Sequence, residues 1–180
     1  MKHINLNPMN PPLNWQDKLP DELPQGWGER AAALCQAQSL TAALRALGGS
    51  FTVKVLYMGE LDGQDNSFAE HHAETAAPQF VRDVLLHLDG VPVVQARSAC
   101  SPQSQAWRGV LDCGTQPLGE RLFDGTLPLK RSAFEFYLME NAGGQDDFRR
   151  PVAARRSYFD WDGEVLELTE YFLAGLARFV

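Results

Sequence analysis

The stretch that decides the fold is FVRDVLLHLDGVPVVQAR, residues 80–97. Two apolar segments flank Asp89-Gly90, and an Asp-Gly pair in that setting is the strongest short signal for a β-hairpin with a two-residue turn. Such a turn sets the register of the two strands. Counting outward from it, we predict that Arg82 lies directly opposite Arg97.

Arg82 is also predicted to lie on an apolar face of the sheet. Side chains alternate between the two faces of a strand, so it shares its face with Phe80, Val84, Leu86 and Leu88. Like charges opposite each other destabilise a sheet, and poorly solvated charges cost more. An anion bound near the two arginines would explain them. The open alternative is a slipped register, or a face open to water on which both are solvated.

A second hairpin with the opposite charge is predicted near the C-terminus. The segments SYFDW (157–161) and EVLELTEYF (164–172) flank Asp162-Gly163. The same counting places Glu170 opposite Arg155, on an apolar face that includes Leu166, Leu168 and Phe172. Either the two form a structural ion pair at a partly exposed edge, or Glu170 is a carboxylate in a pocket of low dielectric. Together the two hairpins indicate a pocket for a small anionic molecule, since arginine binds carboxylates through bidentate hydrogen bonds.

The rest of the chain predicts further short helices and strands around these hairpins. Residues 1–27, rich in Pro and Asn, are expected to form an N-terminal arm, and residues 28–180 a single domain. The predicted elements are a helix from Ala31, a helix at Leu40–Leu47 with Ser39 as N-cap, a strand at Phe51–Tyr57, a helix from Ser101-Pro102 to about Asp112, a helical turn at Pro117–Phe123 and a strand at Ser132–Glu140. The sum is an α+β fold: a single antiparallel β-sheet of about six strands with helices mainly on one face.

Composition argues against several classes of function. The 180 residues carry a net charge of −7 with a pI near 5.0, which argues against nucleic acid and anionic membrane surfaces as partners. There is no segment of signal-peptide type, and no apolar stretch approaches the ~18 residues that a membrane helix needs. Cys35, Cys100 and Cys113 are expected to be buried free thiols of a cytoplasmic protein.

Motifs for metal binding and covalent catalysis are weak or missing. His71-His72, with Glu70 and Glu74 nearby, has no third ligand at a sensible spacing and is interpreted as a solvated loop. The sequence has no GxSxG motif, no catalytic cysteine motif and no phosphate-binding glycine loop.

Several segments, in order and spacing, resemble the bacterial chorismate lyase family from about Gln38 to the C-terminus. They are Gln38-Ser39-Leu40-Thr41, Val81-Arg82-Asp83-Val84-Leu85-Leu86, Asp89-Gly90, Ala96-Arg97, Thr115-Gln116-Pro117-Leu118-Gly119, Ala154-Arg155-Arg156-Ser157 and Leu168-Thr169-Glu170-Tyr171-Phe172. The resemblance implies a monomeric cytoplasmic enzyme without metal or cofactor. It would convert chorismate to 4-hydroxybenzoate and pyruvate, at the start of ubiquinone synthesis.

The resemblance also implies roles for individual residues. Arg82 would bind the ring carboxylate, helped by the backbone of Leu40 and Leu118. Glu170 would lie at the other end, near the ring oxygen that becomes the phenol. Arg97 would belong to the inner pocket or its access path. Arg155, which the register of the second hairpin places opposite Glu170, is also expected to be a binding residue. Segments including the Leu40 region would cover the site.

The chain departs from the family pattern at two positions. Leu40 stands where many relatives carry Met, and Ala153 where an aromatic residue often precedes the small-Arg-Arg-Ser run. The alternative function is a non-catalytic module of the same fold that binds 4-hydroxybenzoate or another aromatic acid, as in the effector-binding domains of some transcription regulators. Those carry a helix-turn-helix domain, for which about 27 residues before the first predicted helix are too few.

Overall fold

One antiparallel sheet organises the protein. The computed structural model describes residues 14–23, 26–62, 77–139 and 148–180. Within these ranges the strands are β1 (Phe51–Leu61), β2 (Gln79–Leu88), β3 (Val91–Cys100), β4 (Lys130–Arg131), β5 (Glu135–Leu138), β6 (Pro151–Trp161) and β7 (Glu164–Leu173). Their order is β1-β2-β3-β7-β6-β4, and β5 also pairs with β6. The predicted α+β fold is confirmed, with seven strands in the described sheet.

The helices pack mainly on one face of this sheet, as predicted. They are α1 (Glu29–Cys35), α2 (Leu40–Ala46), α3 (Gln105–Leu111), α4 (Leu118–Leu122) and a C-terminal 3₁₀ helix (Ala174–Arg178). Apolar side chains of the helices, such as Leu44, Trp107 and Leu122, form one core with Val84 and Phe172 of the sheet. This core occupies the sheet face that carries Arg82 and Glu170.

Serine side chains cap the starts of helices α2 and α3. The Ser39 hydroxyl accepts a hydrogen bond from the Ala42 N–H (3.3 Å), which confirms the predicted N-cap of α2. The predicted start of the next helix at Ser101 is wrong by about three residues. Ser104 is the N-cap of α3, and its hydroxyl accepts from the Trp107 N–H at 3.3 Å.

Both predicted Asp-Gly turns are present. Asp89 and Gly90 have φ angles of 47° and 77°, and Asp162 and Gly163 have φ angles of 52° and 88°. Positive φ at both central residues is the type I′ geometry that suits the twist of a two-residue hairpin. The sequence therefore located both hairpins correctly.

The register of the first hairpin differs from the prediction. Leu88 pairs with Val91 as expected, but Leu86 pairs with Val94, so the register shifts at a bulge that follows Pro92. Proline cannot donate a ladder hydrogen bond, and in sheets it is tolerated at bulges. As a result Arg82 lies opposite Ser98, and the prediction that it faces Arg97 is wrong.

Arg97 lies instead on the other face of the sheet, opposite Asp83. Its Nε and Nη2 donate to the two carboxylate oxygens of Asp83 at 2.9 Å and 2.7 Å, and both side chains are buried. Burial raises the pKa of Asp83, while the hydrogen bonds and charge of Arg97 act in the opposite direction. The two arginines of the first hairpin therefore serve different faces of the sheet.

The described part of the N-terminal arm packs against the domain. Gln16 exchanges two backbone hydrogen bonds with Phe136, at 2.8 Å and 2.7 Å. Trp15 lies 6.1 Å from the Tyr137 ring, and the buried Trp27 meets Phe172 edge-on at 6.3 Å. Residues 1–13 and 24–25 of the predicted arm lie outside the described residues.

Cys35, Cys100 and Cys113 are buried and free, as the sequence predicts. Among the helices of the described ranges, none has the length and apolarity to cross a bilayer. The predicted solvated loop around His71-His72 lies outside the described residues.

Candidate active site

A cavity lies between the Arg82 face of the sheet and the starts of helices α2 and α4. It contains about 470 Å³ of empty space, part of which is open to solvent. Its walls are largely apolar and include Leu40, Val84, Leu86, Ala96, Leu118 and Leu168, and its charged lining residues are Arg82, Arg131, Arg155 and Glu170.

Arg82 forms one end of the cavity and is only 2% exposed. Its Nη2 donates to the carbonyl oxygens of Gly114 and Gln116, at 2.8 Å and 3.2 Å. Gly114 has a φ of 56°, a left-handed conformation that costs a residue with a side chain about 1–2 kcal/mol. Arg82 is thus held by neutral carbonyl groups, and burial lowers the pKa of its guanidinium.

The Nε of Arg82 is buried and has no hydrogen-bond partner among the described residues. A buried donor on a charged group costs free energy when it is left unsatisfied. Such an atom in the wall of a cavity indicates a ligand that accepts a hydrogen bond there. A carboxylate is well matched, since it can satisfy the donor and the charge together.

Helices α2 and α4 begin at the rim of the cavity, at Leu40 and Leu118. The first N–H groups of an α-helix have no acceptor within the helix, so they remain available to other partners. Gly119 allows the two helix starts to approach each other, because a Cβ at this position would lie 2.9 Å from the Thr41 hydroxyl oxygen. The predicted site residues Leu40 and Leu118 are therefore close to one another in the wall of the same cavity.

Arg155 and Glu170 lie towards the other end, and their predicted pairing is confirmed. They are directly opposite on β6 and β7, and Arg155 Nε lies 2.6 Å from Glu170 Oε2. Arg155 also donates through Nη1 to the carbonyls of Cys35 and Ala37, at 2.9 Å and 2.6 Å. Its Nη2 is buried and makes no hydrogen bond within the described ranges. The ion pair holds the Glu170 carboxylate in place, and Arg155 Nη2 remains as a donor without a partner among the described residues.

Arg131 on β4 is a cavity residue that the sequence analysis missed. Its guanidinium carbon lies 5.2, 4.1 and 4.9 Å from the ring centres of Phe123, Phe134 and Phe159. Nε donates to the Ser157 hydroxyl at 3.0 Å, and Nη1 to the Gln38 carbonyl at 2.6 Å. Burial lowers the pKa of Arg131 to about 10, so the group stays cationic at neutral pH.

The charges of the cavity are arranged along its length. Three guanidinium groups against one carboxylate leave a formal charge of +2, in a protein whose net charge is −7. Arg82 on β2 and Glu170 on β7 are separated by β3, which places their backbones about 10 Å apart at the usual strand spacing. The cavity therefore suits an elongated dianion of small-molecule size.

The structure brings most of the predicted site residues together. Arg82, Glu170, Arg155, Leu40 and Leu118 all line the cavity. Arg97 does not, because the bulge in β3 turns it to the opposite face, where it binds Asp83. In the part of the chain that the structure describes, no group of three or more His, Cys, Asp or Glu side chains is arranged to hold a metal ion.

Comparison with known proteins gives one consistent family. The chorismate lyase family model matches residues 20–178. A "probable chorismate pyruvate-lyase" of Ralstonia nicotianae is 33% identical over 181 residues, covering 92% of this chain and 91% of the relative. The protein with the same description from Shewanella amazonensis is 32% identical, with 91% and 86% covered.

Solved structures show only a distant likeness. The effector domain of PhnF from Mycobacterium smegmatis superposes with a TM-score of 0.45 at 16% identity, covering 75% of this chain and 88% of that one. The C-terminal domain of a histidine utilization repressor from Pseudomonas syringae gives a TM-score of 0.43 at 16% identity, with 69% and 92% covered.

Proposed function

The chain belongs to the chorismate lyase family, and from this we propose that it converts chorismate to 4-hydroxybenzoate and pyruvate. Family membership makes the protein a lyase. We further propose that it supplies 4-hydroxybenzoate for ubiquinone synthesis and acts as a cytoplasmic monomer without a cofactor. All the residues that the proposal uses come from one chain.

The observation that carries this proposal is the buried Nε of Arg82. Chorismate has a carboxylate on its ring, and this group bound to Arg82 would satisfy the unused donor. Backbone N–H groups at Leu40 and Leu118, at the starts of two helices, would complete the anion's hydrogen bonds. The apolar walls formed by Val84, Leu86 and similar residues would pack against the faces of the ring.

Glu170 is assigned to the opposite end of the ring, where the hydroxyl group of chorismate lies. A para-substituted six-membered ring is long enough to place its carboxylate at Arg82 and its oxygen near Glu170, since both side chains extend into the same cavity. Arg155 holds the Glu170 carboxylate in place through the 2.6 Å ion pair. Glu170 would thus accept a hydrogen bond from the hydroxyl that becomes the phenol.

The reaction requires one ring C–O bond and the neighbouring ring C–H bond to break. The ether oxygen leaves ring carbon 3 with the enolpyruvyl group, and the proton is lost from carbon 4, so that the ring becomes aromatic. A proton delivered to the methylene carbon of the departing group gives pyruvate. Aromatisation supplies a large driving force, and the site's contribution is to orient the side chain and stabilise charge on the leaving group.

The proton can follow two routes that this cavity allows. It can pass directly from ring carbon 4 to the methylene carbon within the substrate, or through Glu170 as a positioned acid or base. In both routes the product 4-hydroxybenzoate keeps its contacts with Arg82 and Glu170. We therefore expect tight product binding and slow product release.

A direct assay tests the proposal. Purified protein is incubated with chorismate, pyruvate is followed by NADH oxidation with lactate dehydrogenase, and 4-hydroxybenzoate is measured by chromatography. We expect the two products in equal amounts, and we expect Arg82→Ala to lose most of the turnover. Absence of pyruvate, together with tight binding of 4-hydroxybenzoate in calorimetry, would instead identify a binding module without lyase activity.

A further inference from the structure

We propose that Arg131 binds the carboxylate of the substrate's enolpyruvyl side chain and thereby selects a dianionic substrate over a monoanionic aromatic acid. This inference rests on the proposed function, because it assigns a second subsite within the same cavity. It concerns a residue on β4, a two-residue strand that pairs with the edge of β6.

Arg131 is a cation held by neutral groups. Its hydrogen bonds go to the Ser157 hydroxyl and the Gln38 carbonyl, and aromatic rings cover its guanidinium plane. Among the described residues it forms no salt bridge, whereas Arg155 is neutralised by Glu170. Arg131 therefore contributes an uncompensated positive charge to the cavity wall, as Arg82 does at the other end.

Arg131 lies beside the Glu170 end of the cavity. Arg131 donates to Ser157, which lies two residues beyond Arg155 on the same face of β6. Two residues along a strand correspond to about 7 Å. The pKa of Arg131 responds to the charges of both Glu170 and Arg155, which places the three groups in one electrostatic cluster. A negative group bound next to Glu170 would therefore be close to Arg131.

The shape of the substrate also favours a cation at this position. The enolpyruvyl ether is attached to the ring carbon next to the one that carries the hydroxyl group. A ring held with its carboxylate at Arg82 and its hydroxyl at Glu170 therefore projects the side chain at the Glu170 end. The side-chain carboxylate would be repelled by Glu170 unless a cation offset that repulsion. Arg131 is suited to do so, since its Nη2 makes no hydrogen bond within the described ranges.

The assignment has a consequence for specificity. Arg82 alone would bind the single carboxylate of 4-hydroxybenzoate, while the substrate would engage Arg82 and Arg131 together. Removing the charge of Arg131 should therefore weaken the substrate and leave the aromatic product almost unaffected. A residue that merely supported the fold would weaken both ligands equally.

The test compares Arg131→Gln and Arg131→Lys with the wild-type protein. For Arg131→Gln we expect KM for chorismate to rise by about tenfold or more, the loss expected for a charged hydrogen bond. The Kd of 4-hydroxybenzoate, measured by calorimetry, should stay within about twofold of wild type. Arg131→Lys keeps the charge without the planar fork and should give an intermediate KM.

Arg156→Gln is the matched control. Arg156 lies on β6 next to Arg155, but its side chain is on the face opposite to the cavity, where it pairs with Glu135 at 2.5 Å, so this substitution should change neither KM nor Kd. An unchanged KM in Arg131→Gln, or an equal loss of chorismate and 4-hydroxybenzoate affinity, would overturn the inference. If the wild-type protein releases no pyruvate, the proposed reaction is wrong. Calorimetry with chorismate and 4-hydroxybenzoate on the same variants then still tests whether Arg131 binds the side-chain carboxylate.

Discussion

Arg155 and Glu170 face each other across β6 and β7, with Arg155 Nε 2.6 Å from Glu170 Oε2 and both side chains buried. The same guanidinium donates to the carbonyls of Cys35 and Ala37 in the segment from α1 to α2. Arg155 thus connects the sheet, the carboxylate of the cavity and the chain segment that leads to Leu40. The pair contributes to folding and to the site at once.

Breaking this pair from one side should be strongly destabilising. Arg155→Met leaves the Glu170 carboxylate buried without its cation, and such a change costs about 3–5 kcal/mol of unfolding free energy. The double variant Arg155→Met/Glu170→Leu should recover much of that loss, because no buried charge remains unpaired. Urea denaturation of the two variants measures the difference. A double variant as unstable as the single one would contradict this view of the pair.

Glu170→Gln should slow the chemical step, and it should also cost stability because Arg155 is left buried without its anion, so kcat is compared at a temperature where the variant is fully folded. The amide keeps a hydrogen-bond acceptor at the same place but removes the negative charge that faces the reacting end of the ring. We expect kcat for pyruvate release to fall by roughly 10²-fold, the low end of what a positioned acid or base contributes. Glu135→Gln is the matched control, since Glu135 pairs with Arg156 on the opposite face and should not affect kcat. A kcat near wild type in Glu170→Gln would favour proton transfer within the substrate alone.

Arg97 should matter for stability and not for substrate binding. Arg97→Met leaves Asp83 buried without its bidentate partner, which costs about 3–5 kcal/mol. The double variant Asp83→Leu/Arg97→Met has neither charge, so we expect its free energy of unfolding to be closer to that of the wild type. Its KM for chorismate should be unchanged, because both residues lie on the face opposite to the cavity. The measurement is steady-state kinetics at a temperature where the double variant is fully folded. A raised KM in a stable double variant would show that the opposite face influences the cavity.

Gly114 should tolerate a side chain poorly, because its φ of 56° is required to present its carbonyl to Arg82. Gly114→Ala is expected to cost about 1–2 kcal/mol in unfolding free energy and to weaken 4-hydroxybenzoate binding. Gly109→Ala is the control: Gly109 lies on the exposed side of α3, and a Cβ there meets nothing within 4 Å. That change should stabilise the helix by about 0.5–1 kcal/mol. Thermal melts and calorimetry distinguish the two variants.

The two hairpins show why some site residues could be predicted and others could not. An Asp-Gly turn sets the pairing of the residues next to it, and β7 pairs with β6 without a bulge from that turn to Glu170, so counting placed Glu170 opposite Arg155. In the first hairpin the same counting failed at the bulge that follows Pro92. A proline warns that a strand can be irregular, but it does not say which residue is skipped.

Arg82 was nevertheless placed on the correct face. Its face is fixed by the apolar alternation of β2 itself, which does not depend on the pairing with β3. Arg97 follows the bulge in β3. Because a bulge reverses the face of every residue after it relative to the partner strand, the face of Arg97 could not be predicted without locating the bulge. Arg82 and Arg97 therefore do not face each other, although Arg82 does line a cavity.

Arg131 could not be found from the sequence pattern. A strand of two residues has no periodicity, and Lys130-Arg131 reads as an ordinary basic pair. Its place in the cavity depends on pairing with Phe159, almost 30 residues further along the chain. The pairing of a short edge strand with a distant strand depends on the assembled sheet. It therefore leaves little trace in the sequence around Arg131.

A crystal structure with bound 4-hydroxybenzoate tests the role of Arg82 most directly. We predict density for one molecule in the cavity, with its carboxylate within hydrogen-bond distance of Arg82 Nε, about 3 Å, and its hydroxyl on the Glu170 carboxylate. Arg131 should make no contact with the carboxylate of this monoanion. A ring bound in the reverse direction, or bound in the groove near Tyr158 and Glu167 with the cavity empty, would contradict the assignment of Arg82 as the carboxylate-binding residue.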